Sequence, residues 1–255
     1  MSLSLLDRTR KLGRLLHNNT SSKVAFNDIC EVLSDSLASD VLVISRGGKL
    51  LGCGISEEVQ PLKELLSHTV GEHIDDGLNE RFMGILSTQD NVNLMTLGFS
   101  MDIAEGGGRY HAVASPIYAG GERLGSLFIY KDKGWYDMDD IILAEYAGTV
   151  VGLELLRSLR SEADESDRLM QGAKSALDAL TLSEKEAIRH ILSQLDEEES
   201  ILIAKKVAED TGIARSVVVN ALRKLESAGV IETHSAGVKG TRLRLLNSAI
   251  QEMIC

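Results

Sequence analysis

Ile203–Arg223 reads IAKKVAEDTGIARSVVVNALR, and this stretch decides the architecture of the C-terminal third of the chain. Apolar Val207, Ile213 and Val218 stand among polar residues at the spacing of two short amphipathic helices. Gly212 lies between them, and glycine adopts the positive φ that a turn of roughly three or four residues demands. Ala208 lacks the bulk that would hold two crossing helices apart. The second helix is predicted over 214–228, with Gly229 as its stop. Beyond it, Val230–His234 and Thr241–Leu245 alternate around the tip Gly237–Gly240, which predicts a β-hairpin with a cationic turn.

Helix, sharp turn, helix and hairpin together make a winged helix-turn-helix, with the unit itself running from Ala204 to Arg223. In that geometry the N-terminal part of the second helix meets base edges. Arg215 can read guanine bidentately, Asn220 can pair with adenine, and Ser216 can bond a base or a phosphate. Lys205, Lys206, Arg223, Lys224 and Lys239 are expected on phosphates, where they set register and not sequence. For any single lysine, a solvated helix face is the competing reading. Charge supports a DNA partner. Of 255 residues, 27 are Lys or Arg and 38 Asp or Glu, giving a net of −11. Residues 201–255 hold eight basic and five acidic side chains (net +3), against 19 and 33 in residues 1–200 (net −14). A basic module on an acidic body is the footprint of a small nucleic-acid-binding domain carried by something else.

The body alternates differently. Helical spacing over Leu5–Leu16 and Phe26–Leu37 precedes an apolar run, Val41–Ile44, then the turn Ser45–Lys49 and a second run, Leu50–Ile55. Helices are expected over roughly 57–67 and 72–86, and strands over Val92–Phe99, Tyr110–Tyr118 and Leu124–Tyr130. A long helix from Asp137 carries an apolar face and then rising charge to Met170. Thr181–Glu186 contains a Ser-x-x-Glu capping box at Ser183 and Glu186, and the acidic run Glu197–Glu199 reads as a loop. This order is that of a small-molecule sensor module of the GAF or PAS kind.

Other chemistry finds little support. The glycine clusters at 106–108 and 120–121 do not continue as Gly-Lys-Ser/Thr and lie between strands. His68 and His73, five apart, are not a one-face helical pair, and they read as exposed polar residues; no metal is expected. Cys30, Cys53 and Cys255 show no metal or redox spacing, which suits a reducing compartment. No resident cofactor and no enzymatic site is expected. Charges at Asp7, Arg8, Arg10 and Lys11 interrupt any apolar leader, and no stretch has the length of a membrane span, so a cytoplasmic protein without membrane contact is expected. The competing class is a GAF-type signalling module or enzyme whose C-terminal helices mediate protein contacts.

The motifs GKLLG (48–52), GGERLG (120–125), Asp139–Arg157, RSVVVNALRKLESAGVIE (215–232) and GVKGT (237–241) resemble the CodY family of global transcriptional regulators of low-GC Gram-positive bacteria. The resemblance covers nearly the whole chain. It implies an α+β protein with a GAF-like effector-sensing and dimerisation domain over 1–157, an antiparallel sheet flanked by helices. A linker helix over 158–180 and a winged helix-turn-helix over 181–255 would follow. It further implies a regulator, mainly a repressor, of nutrient and stationary-phase genes that binds AT-rich operators as a homodimer or higher homo-oligomer. Its effectors would be branched-chain amino acids and GTP. The family's carboxylate-binding arginine has no counterpart in Glu57–Lys63, and its Thr-Ala-Phe-Pro segment is Leu97–Ser100 here. An altered effector pocket, lined in part by Leu62, Leu97 and Phe99, is the expectation. The family's nucleotide contacts map onto Ser45, Arg46, Lys49 and Glu154, although one arginine of that turn has become Gly47. The plain alternative is that Arg46 and Lys49 decorate a hairpin turn.

Overall fold

The computed structural model describes residues 3–18, 26–60, 68–97, 99, 110–194, 199–235 and 240–254, in two compact units, Met1–Ser161 and Glu162–Cys255. In the first unit, α1 (Leu3–Asn18) and α2 (Phe26–Leu37) lead into the hairpin β1 (Asp40–Ser45) and β2 (Leu50–Gly54). There follow α3 (Asp76–Gly84), β3 (Gln89–Asn93), a 3-10 turn over Leu94–Leu97, β4 (His111–Ala119) and β5 (Glu122–Lys131). Helix α4 runs from Met138 to Asp178.

The five strands form one antiparallel sheet in the order β2-β1-β5-β4-β3. Both faces of its centre are covered, so the period-2 alternation separates two cores. On one face Val41, Val43, Val113, Ile117, Leu127 and Ile129 pack against α1, α2 and α4. On the other, Leu42, Ile44, Phe128 and Tyr130 pack against Leu78 and Phe82 of α3 and against Leu94, Leu97 and Phe99. The register Val41↔Ile129 and Leu42↔Phe128 keeps each pair on its own face. Helix α2 lies so close on β2 that a Cβ at Gly54 would strike the carbonyl of Cys30. That strand position is closed to any larger residue.

In the second unit, α5 (Leu182–Leu192), β6 (Glu199–Leu202), α6 (Ala204–Thr211), α7 (Arg215–Ser227), β7 (Ile231–Ser235), β8 (Thr241–Leu245) and α8 (Ala249–Ile254) surround a single apolar cluster. The strands pair antiparallel in the order β6-β8-β7. Ala173, Ala176, Leu177 and Leu180, from the segment expected as linker, are buried in this cluster.

Several local expectations are corrected. The capping box is Thr181 with Glu184, not Ser183 with Glu186: the two patterns overlap, and Glu184 gains an additional partner, Lys224, that fixes the choice. The strand expected to reach Phe99 stops at Asn93, whose Oδ1 accepts the Met95 N–H (2.9 Å) and opens the 3-10 turn. The helix expected over 72–86 is confined to Asp76–Gly84, with the Asp75 side chain accepting from Leu78 N–H at its start. Residues 57–60 are not helical, and 61–67 lie outside the described residues. The acidic run does not end in a loop at Glu199, because Glu199–Leu202 pair with β8 as a strand.

Candidate functional site

Helix α6 ends at Gly212, whose φ of 71° is left-handed, and after the single residue Ile213, Ala214 (φ −56°, ψ 136°) opens α7. Thr211 supports the turn: its hydroxyl donates to the Val207 carbonyl (2.6 Å) and accepts from the Ile213 N–H (3.3 Å). Val218, Ala221, Leu222 and Leu225 bury one side of α7. At 100° per residue, Ser216, Asn220 and Arg223 then share the opposite side, and all three are exposed. The structure thus brings three of the predicted residues onto one outward helix face. Arg215 occupies the first turn and lines a groove of about 530 Å³ between α7 and the β7–β8 hairpin, together with Lys205, Arg223 and Thr241. Glu226 lies in the same groove and accepts from the Thr233 N–H (3.0 Å) and hydroxyl (2.7 Å).

The remaining predicted cations divide. Lys206 is exposed on α6, and Lys205 lies 3.6 Å from Glu209 in a solvated pair of little energetic weight. Lys224 points elsewhere: its ammonium donates to Glu184 Oε2 (2.7 Å) and to the Ala179 carbonyl (3.1 Å). The Lys224 ammonium and the Thr181 N–H hold the Glu184 carboxyl below its ordinary range. Lys239 lies outside the described residues. Two cations passed over in the sequence reading, Arg242 and Arg244, are exposed on β8, alternating with buried Leu243 and Leu245. The alternation already recognised in Thr241–Leu245 contained that signal.

In the first unit, Leu97 and Phe99 are buried together on the sheet face opposite α1 and α2, with Phe99 stacked on Phe128 (5.8 Å between centroids) and near Phe82 (6.5 Å). Leu62 lies outside the described residues. Ser45, Arg46 and Lys49 share the hairpin tip, where Ser45 Oγ accepts the Lys49 N–H (3.0 Å), and both cations are exposed. Glu154 is buried on α4 with Arg157 4.0 Å away, and its Oε2 has no hydrogen-bond partner among the described residues.

A polar cluster that the sequence reading missed sits at the edge of the aromatic face. Asp40, fully buried, accepts the Tyr130 hydroxyl (2.7 Å) and the Ser56 N–H (2.9 Å). His68 Nε2 lies 2.9 Å from the Tyr130 oxygen and 3.6 Å from Asp40 Oδ2, so His68 is not the exposed residue expected. The one local signal was a carboxylate opening an apolar β run, which demands partners once buried. Burial and the Asp40 charge push the nearby Cys53 thiol up to about 11, away from nucleophilic character. Among the described residues no cluster of His, Cys, Asp and Glu could hold a metal ion, and no described helix is long and apolar enough to cross a membrane.

A family model of the CodY GAF-like domain matches residues 4–177, and one of the CodY helix-turn-helix domain matches 198–254. The chain belongs to the CodY family. It is 39% identical over 251 residues to the global transcriptional regulator CodY of Bacillus licheniformis, covering 96% of this chain and 95% of that protein. With its Clostridium perfringens counterpart it shares 37% identity over 256 residues, 98% and 97% of the two chains. The cofactor-binding GAF domain of CodY from Clostridium difficile is 28% identical and matches 61% of this chain and 99% of that domain, at a TM-score of 0.44. Within this CodY-family chain, Tyr130→Phe removes a hydroxyl donor from a buried carboxylate. It is expected to destabilise the first unit by about 1–3 kcal/mol, measured by urea unfolding, because a buried charged acceptor then loses a bond.

Proposed function

We propose that this CodY-family chain is a DNA-binding global transcriptional regulator, acting mainly as a repressor, and not an enzyme. The observation that carries the reading is the second unit's geometry: a two-helix motif turning at Gly212, whose exposed face presents Ser216, Asn220 and Arg223 beside the cation-lined hairpin groove. Asn220 and Arg215 read base edges; Lys205, Lys206, Arg223 and Lys239 meet phosphates. An AT-rich duplex as the partner and the cytoplasm as the place are what the resemblance to the CodY family implies.

The first unit is the sensor. Its aromatic sheet face, including Leu97 and Phe99, suits an apolar effector, and the family points to a branched-chain amino acid. The pocket is altered, however. An amino acid brings a carboxylate whose burial without a cation is costly, and residues 57–67 contain no arginine, which leaves Lys63 or Arg81 as the replacement cation. Of the ionisable groups described on this face, Asp40 carries the same sign as the ligand carboxylate, and the Arg123 guanidinium is already engaged by the Phe82 and Ile85 carbonyls and Ser126. For a nucleotide such as GTP, Ser45, Arg46 and Lys49 offer the cations and hydroxyl of one turn, with Glu154 as the family's further contact.

A two-fold operator requires a two-fold protein. Met138, Ile142, Tyr146 and Leu153 form an exposed apolar stripe along α4, between 37% and 70% accessible, which a second copy of this chain would cover.

Asn220→Ala is expected to lose about 1–3 kcal/mol of operator binding and relax preference at one base, whereas Lys206→Ala weakens all sequences alike and lowers the salt slope by about one. Fluorescence anisotropy across a salt series measures both, and unchanged operator preference in Asn220→Ala would reject the helix assignment. Isoleucine is expected to bind weakly or not at all in calorimetric titration; a dissociation constant in the micromolar range would refute the loss of isoleucine binding and point to Lys63, Arg81 or backbone amides as the replacement for the missing arginine. In sedimentation the wild type runs as a dimer or larger and Leu153→Glu shifts it toward monomer. A monomeric wild type that still holds its operator tightly would count against the assembly.

A further inference from the structure

Lys224 lies one residue beyond Arg223 on the recognition helix, yet its ammonium is engaged within the second unit. It donates 2.7 Å to Glu184 Oε2 and 3.1 Å to the Ala179 carbonyl. The same Glu184 oxygen accepts the Thr181 N–H (2.8 Å), and Glu184 returns its own N–H to the Thr181 hydroxyl (3.3 Å), so one carboxylate closes the N-terminus of α5 and receives α7. The Glu184 side chain is only 7% exposed. Ala179 follows directly on α4 and donates its N–H to the Ser175 carbonyl of that helix. One side chain therefore ties together the end of α4, the start of α5 and the recognition helix.

Such a tie has a consequence that apolar packing lacks. Val218, Ala221, Leu222 and Leu225 hold α7 against the core, but apolar burial is non-directional and tolerates small rotations about the helix axis. A charge-assisted hydrogen bond to a fixed, nearly buried carboxylate is directional. Any rotation of α7 moves Ser216, Asn220 and Arg223 together, and base readout is lost over displacements far smaller than a helix radius. Lys224 is the described ammonium of α7 that meets a nearly buried acceptor on another helix.

We propose that Lys224 is a positioning residue for DNA recognition, a pin from α7 to Glu184 and Ala179 that sets the rotation of the base-reading face, and not a phosphate contact. The proposal rests on the DNA-binding reading above and concerns a residue that reading does not use.

Four full-length variants test it: Lys224→Met, which keeps the aliphatic stem; Lys224→Arg; Glu184→Gln; and the double variant Lys224→Met/Glu184→Gln. Each is titrated against an AT-rich duplex selected in vitro by the wild type and against its scrambled counterpart, across a salt series, with thermal unfolding alongside. Lys224→Met is expected to lose affinity for the selected duplex by about ten-fold, the scale of one charge-assisted hydrogen bond, with little change on the scrambled duplex. Its salt slope stays at the wild-type value. Glu184→Gln loses selectivity to a similar degree although it removes a negative charge, the double variant is no worse than either single one, and Lys224→Arg restores binding. A Lys224→Met variant that weakens both duplexes alike and drops the salt slope by about one would make Lys224 a phosphate contact and overturn the proposal. So would a Glu184→Gln variant that binds as well as wild type or better. A general loss of structure shows as a lowered unfolding temperature with both duplexes affected in proportion, which also overturns it. A wild type with no preference for any duplex removes the DNA reading itself, a failure that precedes and differs from the others.

Discussion

Strand β5 is covered on both faces and paired on both edges, and the first unit is arranged around that condition. From Gly125 to Tyr130 every residue is buried, so alternate side chains must enter two different cores and every polar group among them needs an internal partner. Ser126 meets this by accepting from the Arg123 guanidinium (2.9 Å), whose remaining donors reach the Gly125, Ile85 and Phe82 carbonyls. Tyr130 meets it by donating to Asp40. At Gly125 the backbone runs so close to the Ile44 carbonyl that no Cβ fits. The helical layer and the aromatic layer are thus consequences of one strand's two-sidedness.

That arrangement also divides labour between the layers. The layer of α1, α2 and α4 is largely aliphatic and carries a half-buried ion pair, Arg8 with Asp140 (2.7 Å), with Arg8 also donating to the Ser36 carbonyl (3.0 Å). The opposite layer gathers three of the chain's four phenylalanines, Phe82, Phe99 and Phe128, and adds Tyr110 and Tyr130. In a chain with only 4% aromatic residues, this concentration sets the packing of one layer apart from that of the other.

What could be read from sequence, and what could not, follows the range of the governing interaction. The two-helix motif and its hairpin were legible because their determinants are local: a glycine at the turn, apolar residues one helical turn apart, alternation in a strand. The Asp40–Tyr130–His68 cluster was not, since its members are 90 and 62 residues apart and each alone resembles an ordinary polar or core residue. The same holds for Lys224, which looks like its exposed neighbours until Glu184, 40 residues away, is placed beside it. Strand β6 escaped because four residues beginning in an acidic run carry no periodicity of their own; its partner β8 defines it. Even the capping box turned on this: of two overlapping local patterns, a tertiary contact selected one.

The charge distribution gives these few tertiary contacts their weight. With a net of −11 on the whole chain and only +3 in residues 201–255, general attraction to a polyanion is feeble. At physiological ionic strength such fields fade over about 8 Å. A strongly basic protein can hold DNA first and find its register afterwards, because non-specific affinity retains it while it searches. This chain has little of that reserve, so affinity depends on a small number of cations and polar groups being aimed correctly at the moment of contact. Under that constraint a lysine that fixes the angle of the reading helix contributes more to recognition than one additional charge pointing at the phosphates.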